Sequence, residues 1–172
     1  MNLREPLRFS EADCTLSGAL EVMGERWSFL ILRGAFNGLL HFEEFQSELG
    51  IARNILSNRL GRLVDHGIME RHVVEEDRRK VQYRLTQKGL DLLPTMLALR
   101  QWGEKWVSGM PATPILADKQ DLQPIRALSI QAHDGRVLGP RDLCWVHAEQ
   151  VQPLGGTAST PADEAELSAA DR

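Results

Sequence analysis

The sequence predicts a mainly α-helical α+β fold with one small antiparallel β-hairpin, on three observations. Apolar residues recur at three- and four-residue steps through much of residues 15–64 and again through 87–106, the spacing of one face of a helix. Between those regions, 69–75 (MERHVVE) and 80–86 (KVQYRLT) are strand-like and flank a charged turn, 76–80 (EDRRK), which reads as a hairpin. Glycines fall where the apolar runs end, as helix stops do.

In chain order, residues 15–23 (TLSGALEVM) and 26–36 (RWSFLILRGAF) read as two helical stretches interrupted near Gly24. Leu16, Leu20, Met23, Trp27, Leu30 and Ile31 should form one buried stripe, and Asn37-Gly38 should end the region as a turn. A short amphipathic helix over 41–49 (HFEEFQSEL) turns Phe42, Phe45 and Leu49 inward, and Gly50 stops it. The next helix opens at Arg53 and ends at Gly67, with Leu56, Leu60, Leu63 and Val64 as its apolar stripe. Its other face gathers Asn54, Ser57, Asn58 and Arg62. Two short helices joined at a glycine, the second with a polar face free of acids until Asp65, form the pattern of a helix-turn-helix whose second helix enters the DNA major groove. The hairpin that follows is then a wing, with Arg78, Arg79 and Lys80 at or beside its tip. Thr86 caps a helix through 87–107 that Pro94 should bend. That helix is apolar on two sides, so it should pack once on its own domain and once on a second copy of the chain.

After Ser108 the pattern weakens. Residues 110–114 (MPATP) read as a linker, and 126–146 as a hairpin turning at Asp134-Gly135. The small, polar, acidic tail is expected to be mobile unless it docks on a partner. The organisation expected is an arm over 1–13, a DNA-binding and dimerisation domain over 14–107, a small appendage over 108–150 and a flexible tail over 151–172.

The chain has 172 residues and a formal net charge of −4, which counts against a nucleic-acid partner until the charge is divided along the chain. Residues 1–52 carry 4 Lys+Arg against 8 Asp+Glu, 53–88 carry 9 against 5, 89–106 carry 2 against 2, and 107–172 carry 5 against 9. Positive charge is thus concentrated on the second helix and the wing, and a local basic face binds phosphate even on an acidic protein. No run of residues approaches the about 18 apolar positions needed to cross a bilayer, and the amino terminus has no apolar signal segment, so a cytoplasmic location is expected.

Residues 14–106 resemble the HxlR-type winged helix-turn-helix family of bacterial transcription regulators. The resemblance is carried by Cys14, Gly24-x-x-Trp27 followed by Ile31-Leu32-Arg33, Phe42-x-x-Phe45, the L-x-x-R-L-x-x-L run from Leu56 to Leu63, Gly67-Ile68, Tyr83-x-Leu85-Thr86-x-x-Gly89 and Trp102-Gly103. It implies a homodimer, joined through its first and last helices, that binds a pseudo-palindromic operator and controls a neighbouring transcription unit. Two departures stand out. Ala52 occupies the place where many members have a serine N-cap, and Thr15 follows Cys14 where many have proline. The similar tails of some relatives carry paired cysteines that this chain's 134–143 lacks, so no zinc is expected.

The DNA-contacting set expected is Arg53, Asn54, Ser57 and Asn58 at base edges, arginine suiting guanine and asparagine suiting adenine. Arg62, Arg78, Arg79 and Lys80 are expected on phosphate, and Arg59 either braces the helix or holds phosphate. Cys14 is a candidate redox sensor: its place at a helix start favours the thiolate, while Asp13 opposes it. Trp27, Leu30, Trp102 and Trp106 either line a pocket for a small, aromatic effector or form the dimer core. Cys144-x-x-His147 offers two ligands where structural zinc takes four, and neither a phosphate loop nor a nucleophile elbow is present, so no metal, cofactor or enzymatic activity is expected. The function expected is a dimeric sequence-specific repressor on double-stranded operator DNA, released by an effector or by thiol modification. The alternative is a winged-helix protein-interaction module that does not read DNA.

Overall fold

The computed structural model describes residues 15–74, 77–110, 113–146 and 148–153, with backbone only for 77–79 and 148. The described residues divide into two compact units, one within residues 15–130 and one within 131–153.

The larger unit runs α1 (Thr15–Met23), α2 (Arg26–Phe36), α3 (Phe42–Leu49), α4 (Arg53–Asp65), β1 (Met69–Val74), β2 (Asp77–Leu85), α5 (Gln87–Leu90) and α6 (Leu93–Gly103), closing in a π-helical turn, Glu104–Ser108. Its core is built where the helical spacing predicts. Ile31 and Leu32 of α2, Phe45 of α3, and Leu56, Leu60 and Leu63 of α4 are buried to 1% exposure or less, as are Ile68 and Met69 where β1 begins. Gly34 lets α2 and α3 approach, because a Cβ there would lie 2.9 Å from a Leu39 methyl and 3.1 Å from the Phe45 ring. The αL turn at Gly50, φ 59°, swings the chain from α3 towards α4, and Ile51 is buried between the two helices. This is the winged helix-turn-helix, with α3 and α4 as its helical pair and β1–β2 as its wing.

The wing is antiparallel, with Met69 opposite Leu85 and Val73 opposite Val81, and its register slips between Val73 and Val74. Lys80 and the two residues before it fall within β2, so the strand extends further towards the tip than alternation alone suggests; residues 75 and 76 lie outside the described residues.

Two helical expectations are corrected. The stripe through α1 is not buried throughout: Met23 is, but Leu16 and Leu20 are 66% and 57% exposed, because α1 lies on α4 only near its carboxyl end. The helix after Thr86 is broken rather than bent. It stops at Leu90 and restarts at Leu93, with Pro94 in the first turn of the new helix, where its missing N–H costs nothing. Thr86 caps α5 by accepting from Gly89 N at 3.2 Å, and its hydroxyl donates to Gly67 O at 2.7 Å.

Residues 113–130 lie along α6. Arg100 Nη2 donates to Pro114 O at 2.6 Å, Gln101 Nε2 donates to Arg126 O at 3.3 Å, and Gln101 Oε1 accepts from Leu128 N at 2.8 Å. Further on, β3 (Ile130–Gln131) pairs with β4 (Val137–Leu138) around Asp134 and Gly135, where Gly135 has φ 85° and donates to Ala132 O.

Candidate nucleic-acid interface

The interface is built around α4. At 100° per residue, Leu56, Leu60 and Leu63 fall within one arc facing the core, and Asn54, Ser57, Asn58 and Gly61 fall on the opposite arc. All four of these are exposed, and among the described residues no hydrogen bond engages the side chains of Asn54, Ser57 and Asn58. An exposed row of free donors and acceptors on a helix held by its other face is suited to base edges. The helix begins without a side-chain cap: Ala52 is extended, φ −62° and ψ 137°, and contributes only its carbonyl, which accepts from Leu56 N at 2.9 Å. The first N–H groups of α4 therefore have no side-chain acceptor at the cap.

The three arginines of α4 have separate placements. Arg53 lies over the Phe42 ring at 4.9 Å, tied to α3 and exposed at the helix start. Arg59 turns away from the donor row and pairs with Glu25 at 2.6 Å, with its side chain only 16% exposed. Arg62 Nη2 donates to Glu21 O at 3.2 Å. Of the two alternatives for Arg59, bracing is the contact formed. Arg62, expected on phosphate, is likewise engaged with the protein, because both lie on the flank of α4 that faces the α1–α2 joint.

A cleft of about 430 Å³ separates α3, the start of α4 and the wing, and His41, Phe42, Glu43, Arg53, Lys80 and Tyr83 line it with Val81. Its walls are stitched together. Tyr83 N donates to Leu40 O at 2.8 Å, His41 pairs with Gln82 as a lone β-bridge, and His41 Nδ1 lies 3.1 Å from Val81 O. Glu44 anchors the same corner by accepting from Leu40 N and His41 N, both at 2.9 Å, and those N–H bonds, His41's first, hold its carboxyl below the usual glutamate range. Sequence reasoning named Arg53 and Lys80 but not His41 or Tyr83. The His41–Val81 contact that closes this corner spans 40 positions and leaves no local pattern.

At the other end of α4, Lys88 Nζ donates to His66 O at 2.8 Å, a cation on the carboxyl end of the helix. The backbone of Arg78 and Arg79 lies in β2, and their side chains fall outside the described residues, as does Cys14. Trp27 and Leu30 are half-buried, whereas Trp102 and Trp106 are 57% and 65% exposed. These four line neither the cleft nor a second cavity of about 260 Å³ between α6 and residues 115–125.

A helix-turn-helix that presents an open polar row beside a β-wing is the arrangement of the winged helix-turn-helix class of DNA-binding domains. The chain belongs to the HxlR-like helix-turn-helix family, whose model matches residues 22–110. An uncharacterized HTH-type transcriptional regulator of Mycobacterium tuberculosis, Rv3095, is 42% identical over 97 residues, a match spanning 56% of this chain and 61% of that one. YvaP of Bacillus subtilis, another uncharacterized regulator of this type, is 31% identical over 52% of this chain and 83% of its own. Among solved structures, PA1607, provisionally assigned as a transcription factor, is 40% identical with a TM-score of 0.74, covering 80% of this chain and 96% of that one. The redox regulator HypR in its reduced form is 30% identical with a TM-score of 0.50, over 54% of this chain and 92% of its own. No helix among the described residues is long and apolar enough to cross a membrane.

Proposed function

We propose that the chain is a cytoplasmic, homodimeric repressor that reads a pseudo-palindromic operator and releases it when an effector binds or a thiol is modified. The observation that carries the DNA reading is the row of Asn54, Ser57 and Asn58, exposed and unengaged on a helix whose other faces are all held. In this reading Asn54, Ser57 and Asn58 meet base edges, with Arg53 beside them at the helix start. Lys80 and the wing arginines Arg78 and Arg79 take phosphate. Arg59 and Arg62 hold the helix.

The dimer reading is supported by apolar surface on the first and last helices. Leu20 of α1, Leu99 and Trp102 of α6, and Trp106 after it are all more than half exposed. The 14–107 segment would then suffice for DNA binding and dimerisation, with two recognition helices about one helical turn of DNA apart. Release through Cys14 is supported by the likeness to the redox regulator HypR. Trp27, Leu30, Trp102 and Trp106 belong to the dimer core rather than to a closed pocket in this reading.

The test is binding of the full chain to its own upstream DNA and to random DNA over a series of salt concentrations. Asn54→Ala should abolish the preference for upstream DNA, and the double change Arg78→Ala, Arg79→Ala should weaken both DNAs and flatten the salt slope by about two phosphates. A wild type with no preference between the two DNAs refutes the proposal and favours a protein partner for α4.

A further inference from the structure

Arg59 and Arg62 lie one turn apart on the flank of α4 between its buried stripe and its donor row. Their partners, Glu25 and the backbone carbonyl of Glu21, lie on either side of Gly24, whose φ of 67° marks the break between α1 and α2. Glu25 is the N-cap residue of α2, yet its side chain makes no cap hydrogen bond and its carboxylate is turned to Arg59 instead. Among the described residues Arg59 Nε is buried with no hydrogen-bond partner, so one donor of the held side chain is left unused there.

This is a costly way to join two helices. A long apolar side chain would cover the same flank without stranding a donor, and the Glu25 carboxylate, 60% exposed, would stay hydrated when its partner is replaced. What arginine adds is direction: a guanidinium that must meet the Glu25 carboxylate narrows the relative settings of the two elements, where an apolar contact permits several. We infer that Arg59, backed by Arg62, is a positioning residue that fixes the angle of α4 against the α1–α2 joint, and so the register in which the donor row meets base edges. The inference rests on the DNA-binding reading above.

The experiment compares wild type with Arg59→Met, Arg59→Lys and Glu25→Gln in the full chain, using upstream and random DNA across salt, thermal unfolding, and amide hydrogen exchange of α4. Arg59→Met should keep or raise the Tm, lose preference for upstream DNA by about tenfold, and leave random-DNA affinity and the salt slope unchanged. Glu25→Gln should show the same loss in milder form, and Arg59→Lys should not restore the preference. Amides of α4 should exchange faster in Arg59→Met at unchanged global stability. Equal losses on both DNAs, with the salt slope reduced by about one, overturn the inference and make Arg59 a phosphate ligand. Full preference in Arg59→Met overturns it as well. If wild type itself shows no preference, the DNA reading fails, and α4 exchange alone decides the positioning role: unchanged exchange in Arg59→Met refutes it.

Discussion

The same substitution, glycine to alanine, should act in opposite directions at two helical positions. At Gly89 an added Cβ would lie 2.3 Å from the backbone oxygen of Ile68, 3.0 Å from a Leu85 methyl and 3.3 Å from Ile68 C. An ordinary carbon–oxygen contact needs roughly 1 Å more, so either α5 or the Ile68 peptide must move. The Ile68 carbonyl cannot move freely, because it accepts from Thr86 N at 3.1 Å, beside the Thr86 hydroxyl that holds Gly67 O. Displacing α5 instead breaks the Thr86 cap. Either route loses one or two hydrogen bonds, about 1 kcal/mol each, and adds about 1–3 kcal/mol of overpacking strain. Alanine's helix propensity returns about 1 kcal/mol, leaving a net loss of about 2–3 kcal/mol and a fall in Tm of about 5–10 °C.

At Gly61, in the middle of α4, a Cβ meets nothing within 4 Å. Only the propensity term remains, so Gly61→Ala should stabilise the fold by about 0.5–1 kcal/mol. Thermal and urea unfolding of both variants at one protein concentration provide the assay, the concentration being fixed because association shifts the Tm. Gly89→Ala within 1 kcal/mol of wild type would refute the packing argument. So would a destabilised Gly61→Ala, which would mean that the open face of α4 is covered in the free protein.

Thr86→Ala removes the α5 cap and the hydroxyl bond to Gly67 O together, and should lower stability by about 1–2 kcal/mol in urea titrations. Glu44 has a folded-state pKa below its unfolded value, so its contribution is present above the unfolded pKa of about 4.3 and is lost as pH falls through the lower folded value. The stability gap between wild type and Glu44→Gln should therefore narrow in acid below that range, and a gap constant from pH 7 to pH 3 would contradict it. Leu20→Glu with Trp106→Glu places charge on surface already exposed in one chain. The change should leave secondary structure intact while weakening self-association by about tenfold or more in sedimentation. A dimer unaffected by both changes would move the interface elsewhere.

The positions that could be read from sequence are those whose partner is another periodic face. Leu56, Leu60 and Leu63 repeat at helical spacing because they meet α2 and α3, and all three are buried. Periodicity reports that a face is apolar, not what covers it, which is why Leu16 and Leu20 read as core and stand open. Arg59 and Arg62 share the general polarity of the donor row, and the contacts they make are with partners more than 30 positions earlier, presented by a glycine break whose angle no spacing encodes. The break before Pro94 has a similar origin: Gly89 is pressed against the Ile68 carbonyl, so α5 is set by the end of the helix-turn-helix, and α6 has to restart in its own direction. Residues 113–130 were the least legible because of how they are held. Gln101 acts as a one-residue strand edge, donating to Arg126 O and accepting from Leu128 N. Such a contact uses the backbone of the segment it binds and asks nothing of its side chains. A segment fixed through its peptide groups leaves no apolar period, so only the amide on α6 could have signalled it, and a lone glutamine on a helix is ordinarily just a solvated residue.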